Sequence, residues 1–109
     1  VEREPQTQLA IQATTDSDGL RVAVSGEIDM AVADELFNKV LKELGCERNL
    51  ILDFAGVTFC DSSGIRTLVH LHNHQTDTGH TTRIINTTYA VRRVIETSGL
   101  AEYLGIIET

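Results

Sequence analysis

The chain has 109 residues, 41% hydrophobic and 23% charged, the balance of one globular domain with a single modest core. A formal charge of −7 and a pI near 4.9 repel nucleic-acid phosphates and argue against direct nucleic-acid binding, while suiting a basic protein partner. No apolar run approaches the roughly 20 residues that span a bilayer, and Val1-Glu2-Arg3-Glu4-Pro5-Gln6 has no apolar signal core, so a cytoplasmic location is expected.

Residues 1–7 are polar and expected to be disordered, leaving residues 8–109 as a single domain. Leu9, Ile11 and Ala13 alternate with Gln8, Ala10 and Gln12, the pattern of a half-buried strand. The cluster Thr14-Thr15-Asp16-Ser17-Asp18-Gly19 reads as a turn. Leu20, Val22 and Val24 alternate again, so the short connection predicts an antiparallel hairpin. Gly26-Glu27-Ile28-Asp29 closes the second strand, with Asp29 expected to cap the helix that follows. Val32, Leu36, Phe37, Val40, Leu41 and Leu44 carry helical spacing up to Gly45.

Leu50-Ile51-Leu52-Asp53-Phe54 reads as a strand covered on both faces, with Asp53 serving local amides. Ala55-Gly56-Val57-Thr58 reads as a connection. Ile65, Leu68, Val69 and His72 set a second helix from about Ser63 to Asp77, stopping before Gly79. Thr82–Ile85 is a further strand. Asn86-Thr87-Thr88 caps a third helix with Val91, Val94 and Ile95 facing in, ended by Ser98-Gly99-Leu100. Leu104-Gly105-Ile106-Ile107 supplies a last short strand. The order is ββαβαβαβ, an α/β class with a mostly parallel sheet and one antiparallel hairpin. Cys46 and Cys60 flank the Leu50–Phe54 strand. At about 3.3 Å per residue they stand some 20 Å apart, beyond the roughly 7 Å that a disulfide bridges. Both are read as reduced thiols.

Between the third strand-like run and the second helix lies Phe59-Cys60-Asp61-Ser62-Ser63-Gly64-Ile65. The first amides of a helix lack intrahelical partners and the helix dipole is positive there. Asp, Ser and Gly suit that place as caps, and the same place accepts a phosphate. The segment is therefore either an ordinary capped helix start or a serine held where it can be phosphorylated.

Three segments, in order and at matching spacing from about Leu9 to Ile107, resemble the STAS domain family, specifically bacterial anti-sigma-factor antagonists. They are Gly26–Asp29, Leu50–Ile65, and Ile95-Glu96-Thr97-Ser98-Gly99-Leu100. The resemblance implies a STAS fold and a regulatory switch, not an enzyme. Unphosphorylated, such a protein binds an anti-sigma factor that is also an ATP-dependent serine kinase, and so frees a sigma factor. Phosphorylation of the second serine, here Ser63, breaks that grip, and a PP2C-type phosphatase restores it. The resemblance gives Asp61, Ser62 and Gly64 the shaping of the phospho-loop. It gives Gly26, Glu27, Ile28, Asp29, Ser63 and Ile65 the partner surface. It implies no cofactor in this chain, no membrane or direct nucleic-acid contact, and a monomer or weak dimer. Cys60 stands where relatives commonly carry a larger apolar residue, Ile65 where leucine is usual, and relatives often continue past Thr109 into a last helix. The alternative is a STAS scaffold in a signalling or transport assembly, without phospho-control.

Other chemistries fare less well. His70 and His74 share a helix face and His72 points elsewhere, with no convincing third ligand, so no metal is expected and His72 is expected to be partly packed. Cys60-Asp61-Ser62-Ser63-Gly64 lacks the first glycine of a nucleophile elbow, and no histidine is clearly brought to Ser63. No Walker-type loop or dinucleotide fingerprint occurs. Cys60 beside the loop is read as a small buried apolar residue in preference to a redox sensor.

Overall fold

Alternating strands and helices in the chain become one five-stranded sheet with helices packed against it. The computed structural model describes residues 9–45, 48–104 and 107–108. In chain order these are β1 (Ala10–Asp16), β2 (Gly19–Ile28), α1 (Ala33–Leu44), β3 (Leu50–Cys60), α2 (Ser62–Asp77), β4 (Thr82–Ile85), α3 (Tyr89–Thr97), α4 (Ala101–Leu104) and β5 (Ile107–Glu108). The sheet order is β1-β2-β3-β4-β5. β1 pairs antiparallel with β2, and every other neighbour is parallel. This is the architecture and order expected from the sequence, with one short turn of helix, α4, added before β5.

The hairpin closes through an Asp16 carboxylate that accepts the Asp18 amide at 2.8 Å, a local turn bond of the kind Asp favours. Period-two alternation then sorts β2: Leu20, Val22 and Val24 are buried, while Arg21, Ala23 and Ser25 are half-buried. In register with them, β3 contributes Leu50, Leu52 and Phe54, and β4 contributes Ile84, to one continuous core. Leu36, Val40 and Leu44 of α1, Leu68 and Leu71 of α2, and Val91 and Ile95 of α3 complete it. Their helical spacing puts each set on a single stripe. The opposite sheet face is only partly covered, because Asp53 is half-buried and Ala55 exposed. Ile51 on that face is nonetheless buried. Its register neighbours are Arg21 and Arg83, whose alkyl stems are long enough to shield it.

Two expectations are corrected here. The segment Ala55–Thr58 is not a connection: β3 runs on to Cys60, and Gly56, Val57, Phe59 and Cys60 pair with Ser25, Gly26, Glu27 and Ile28. Irregularities between Ala23 and Ser25, and between Gly26 and Glu27, interrupt the register. Such bulges hide a strand from a period-two reading. Gly56 is required there, since a Cβ would sit 2.5 Å from the Ser25 Cβ. The second correction concerns Asp29. Its carboxylate accepts the Ala31 amide at 3.0 Å, and its carbonyl accepts the Val32 and Ala33 amides at 3.1 and 2.9 Å. Asp29 thus caps a turn ahead of the helix, and the N-cap of α1 is Val32, without a side-chain bond.

Other local readings hold. Thr88 caps α3 through the Val91 amide at 3.4 Å. Gly99 follows α3 with a φ of 80°, a left-handed value that glycine adopts without strain. The Asp53 carboxylate accepts the Ala55 amide at 3.0 Å and the Asn86 side-chain amide at 3.2 Å. Cys46 lies outside the described residues, as do residues 1–8.

Phe54 is fully buried in the centre of this core. Phe54→Ala is expected to cost about 3–5 kcal/mol of unfolding free energy. Tyr89→Ala, on an exposed residue, is expected to stay within about 0.5 kcal/mol. Urea denaturation of the two variants checks the contrast.

Candidate functional site

Because β2 and β3 run parallel, their C-terminal ends arrive together. Ile28 pairs with Cys60, and the Asp61 amide donates to the Ile28 carbonyl at 3.1 Å. The Gly26–Asp29 segment is thereby fixed beside the Cys60–Ile65 segment. Asp61 then leaves the strand in an extended conformation and becomes the N-cap of α2. Its Oδ1 accepts the Ser63 amide at 2.8 Å and the Gly64 amide at 3.3 Å. Its carbonyl accepts the Ile65 amide at 3.1 Å, the first helical bond. Two of the orphan amides at this terminus are therefore already satisfied.

Gly64 lets the helix start press against the strand ends. A Cβ at this position would strike the Cys60 sulfur and stand 2.9 Å from Ile28 Cγ2. Ile28, Cys60 and Ile65 form the buried floor beneath the loop. Ile28 and Ile65, expected on the partner surface, are both buried, and only Ile65 reaches an open groove. Glu27 is exposed, and Gly26 and Asp29 are half-exposed.

The two serines diverge. Neighbours on a helix are rotated by about 100°, and here that sends them to different hollows. Ser62 is exposed and lines an open groove of about 630 Å³ between α2 and α3, with Ile65, Tyr89, Ala90, Arg93 and Val94. Arg93 donates to the Tyr89 hydroxyl at 3.0 Å and lies 5.8 Å from the Tyr89 ring centroid. Ser63 is half-buried and lines a smaller cleft of about 140 Å³ between α1 and α2, with Met30, Asp34, Phe37, Arg66 and His70. Met30 is 77% exposed and Tyr89 73% exposed, so an uncovered apolar residue stands on either side of the helix start. Phe59, two residues before Asp61, is 46% exposed. Single exposed apolar residues are ordinary, and these three come from separate elements that meet near the start of α2. Met30, Arg66, Tyr89 and Arg93 are not singled out by the sequence, and Phe59 only as the first residue of the segment that ends at Ile65. The available signal was position alone: Met30 follows Asp29, and Tyr89 follows the Thr88 cap.

Cys60 is buried, and its thiol is pushed up to about 12 from an ordinary 9.0, first by burial and then by the Asp61 charge. A thiol so poor in thiolate is a packing residue and not a reactive one. The histidines are dispersed. His70 meets the Phe37 ring edge-on at 6.0 Å, and His72 packs edge-on at 5.2 Å against Tyr103, which makes it partly packed as expected. His70 lines the Ser63 cleft, but the two make no hydrogen bond to each other. Among the described residues no group of three or more His, Cys, Asp or Glu is arranged to hold a metal ion. No helix among them is long and apolar enough to cross a membrane.

A family model described as "STAS domain" matches residues 10–109. Among solved structures, an anti-sigma factor antagonist from Mycobacterium paratuberculosis is similar at 25% identity, with a TM-score of 0.79 over 94% of this chain and 87% of that one. The anti-sigma factor antagonist SpoIIAA in its unphosphorylated form is similar in fold at 20% identity, with a TM-score of 0.75 over 92% and 88%. A putative anti-sigma factor antagonist from Thermotoga maritima is similar in fold at 16% identity, with a TM-score of 0.76 over 91% and 86%.

Two measurements check this geometry. Gly64→Ala is expected to destabilise by about 1–3 kcal/mol through overpacking, and Asp61→Ala by about 1 kcal/mol through loss of the cap. Chemical denaturation reads both, and Asp61→Asn should lose less. For Cys60, the raised pKa means that the native state keeps a proton that the unfolded chain releases above pH 9.0. The stability it contributes is complete below pH 9.0 and is lost as the pH climbs towards about 12. Unfolding free energy should therefore fall more steeply above pH 9 in the wild type than in Cys60→Ala. Peptide-resolved mass spectrometry at pH 8 should find Cys60 alkylated only after denaturation.

Proposed function

The chain belongs to the STAS domain family, and from that premise we propose that it is an anti-sigma-factor antagonist switched by phosphorylation of Ser63. STAS domains are regulatory or scaffolding modules and not enzymes, and such a module acts through a contact surface. The observation that carries the reading is the start of α2. A half-buried serine, two residues past a filled Asp61 cap, stands between the exposed side chains of Met30 and Tyr89. The M. paratuberculosis and SpoIIAA antagonists support it, since the matches run over nine-tenths of this chain. That SpoIIAA is described in an unphosphorylated form supports phosphate as the switching group.

In the unphosphorylated state the patch around Ser63 docks on an anti-sigma factor that is also a serine kinase, and a sigma factor is released. Gly26, Glu27 and Asp29 border the contact, over the floor made by Ile28 and Ile65. The kinase brings ATP and magnesium. The Ser63 Oγ attacks the γ-phosphorus, the bond to the β-phosphate oxygen breaks, ADP leaves, and the hydroxyl proton passes to a base on the kinase. The new group carries about −1.5 to −2 charges at pH 7. Burying that charge against an apolar partner surface costs several kcal/mol unless it is paired. Asp61 adds like-charge repulsion to any acidic group the partner offers. The fold survives, since negative charge at a helix N-terminus is well tolerated. The switch is then local: the contact is lost while the domain stays folded. A PP2C-type phosphatase resets it.

Intact-mass spectrometry after incubation with the cognate kinase and ATP tests the reading directly. One added phosphate in the wild type, and none in Ser63→Ala, is the expected result. In a pull-down, Ser63→Ala should stay bound to the kinase and Ser63→Glu should bind at least about tenfold more weakly, a difference of about 1.4 kcal/mol. Binding without phosphate uptake would leave an unswitched scaffold as the better account.

A further inference from the structure

The helix start offers little room for a phosphate on its own amides. The Ser63 and Gly64 amides both donate to Asp61 Oδ1, and the Asp61 carboxylate repels a dianion. A phosphate on Ser63 therefore needs a counter-charge from elsewhere. The α1–α2 cleft supplies one in Arg66. Ser63 and Arg66 are three residues apart on α2, so their Cβ atoms lie about 5–6 Å apart on one face. Arg66 is exposed and, among the described residues, makes no hydrogen bond or ion pair. Across the cleft α1 presents Asp34, Ala33 and Phe37, with Met30 from the turn before it. The one charged group among these, Asp34, repels phosphate. His70, next along α2, is turned edge-on to Phe37.

The other serine meets a different situation. The arginine in the groove lined by Ser62 is Arg93, and its guanidinium is already held by the Tyr89 hydroxyl and ring. The uncommitted guanidinium is on the Ser63 side.

We propose that Arg66 is the phosphate clamp of the switch: it pairs with phosphorylated Ser63 within the α1–α2 cleft and holds the modified state as a full dianion. The inference rests on Ser63 being the acceptor. Its chemistry is that of a planar, permanently charged fork meeting phosphate oxygens, which lysine matches in charge but not in geometry. A charge at this distance favours the doubly ionised phosphate and lowers its second pKa, ordinarily near 6. Before modification the same guanidinium is solvated and costs the fold nothing, and the proposal gives it a role only once phosphate is present.

The test installs phosphoserine at position 63 during synthesis, so that no kinase is needed, and follows the phosphorus NMR shift against pH. Wild type, Arg66→Gln and Arg66→Lys are compared. In Arg66→Gln the phosphate pKa should rise by about half a unit, as expected for an exposed pair. Arg66→Lys should restore most of the difference, and high salt should erase it. Phosphoserine installed at position 62 should titrate alike in wild type and Arg66→Gln. Circular dichroism of the unmodified variants should match the wild type. Identical titrations at position 63 in wild type and Arg66→Gln would overturn the clamp. That result is separable from the switch itself: a kinase that ignores Ser63 sinks the proposed function and leaves this titration unchanged, and a flat titration with normal kinase uptake sinks only the clamp.

Discussion

The carboxylate of Asp61 joins the end of a strand to the start of a helix, and the site depends on that junction. One oxygen accepts two amides of α2, while the Asp61 amide donates back to the carbonyl of Ile28 in the neighbouring strand. The residue thus fixes the helix start along its axis and across the sheet. Gly64 supplies the other half of the constraint, by letting the first turn lie against Cys60 and Ile28 with no side chain between. Cap and close approach together leave Ser62 and Ser63 no freedom to exchange places. Each faces its own hollow because the helix cannot slide or rotate on its floor.

That rigidity is what a local switch requires. In the proposed switch, a phosphate on Ser63 would add charge where the Ser63 and Gly64 amides are already bonded to Asp61, so the disturbance would pass outward and not into the fold. Outward lie Met30, Phe59 and Tyr89, exposed apolar side chains from a turn, a strand end and a helix start. Inward lie Ile28, Cys60 and Ile65, all buried. The same short stretch therefore borders both an exposed surface, where the proposed switch would act, and a buried core. Cys60 shows the boundary: one residue before Asp61, its thiol is buried and pushed up to about 12.

Much of the fold was legible because its elements carry strong local signals. The alternation of Leu20, Val22 and Val24, the helical stripe through Leu36, Val40 and Leu44, and the caps at Thr88 and Gly99 all appear as expected. The failures share one cause. The end of β3 was read as a connection because the bulge around Ala55 and Gly56 breaks the period of two. Asp29 was assigned to the helix because an Asp before a helical stripe has the same local chemistry whether it caps the helix or the turn before it. In both cases pairing with another strand or the path of a turn decided the outcome, and neither is encoded in neighbouring residues.

The sequence by itself determined which residues cap, turn and form stripes, and it placed an Asp-Ser-Ser-Gly segment at a helix start. Those are properties of side chains within a few positions of one another, where sterics and hydrogen bonding are local. Only the tertiary structure decided that Ile28 and Ile65 are buried while Met30 and Tyr89 are exposed. It alone turned Ser62 towards Arg93 of α3 and set Ser63 in the cleft against α1, whereas Arg66 stands beside Ser63 through helical spacing alone. The reason is that exposure and charge neighbourhood depend on which elements the sheet register brings together, and β2, β3 and the helices that meet at α2 are tens of residues apart in the chain.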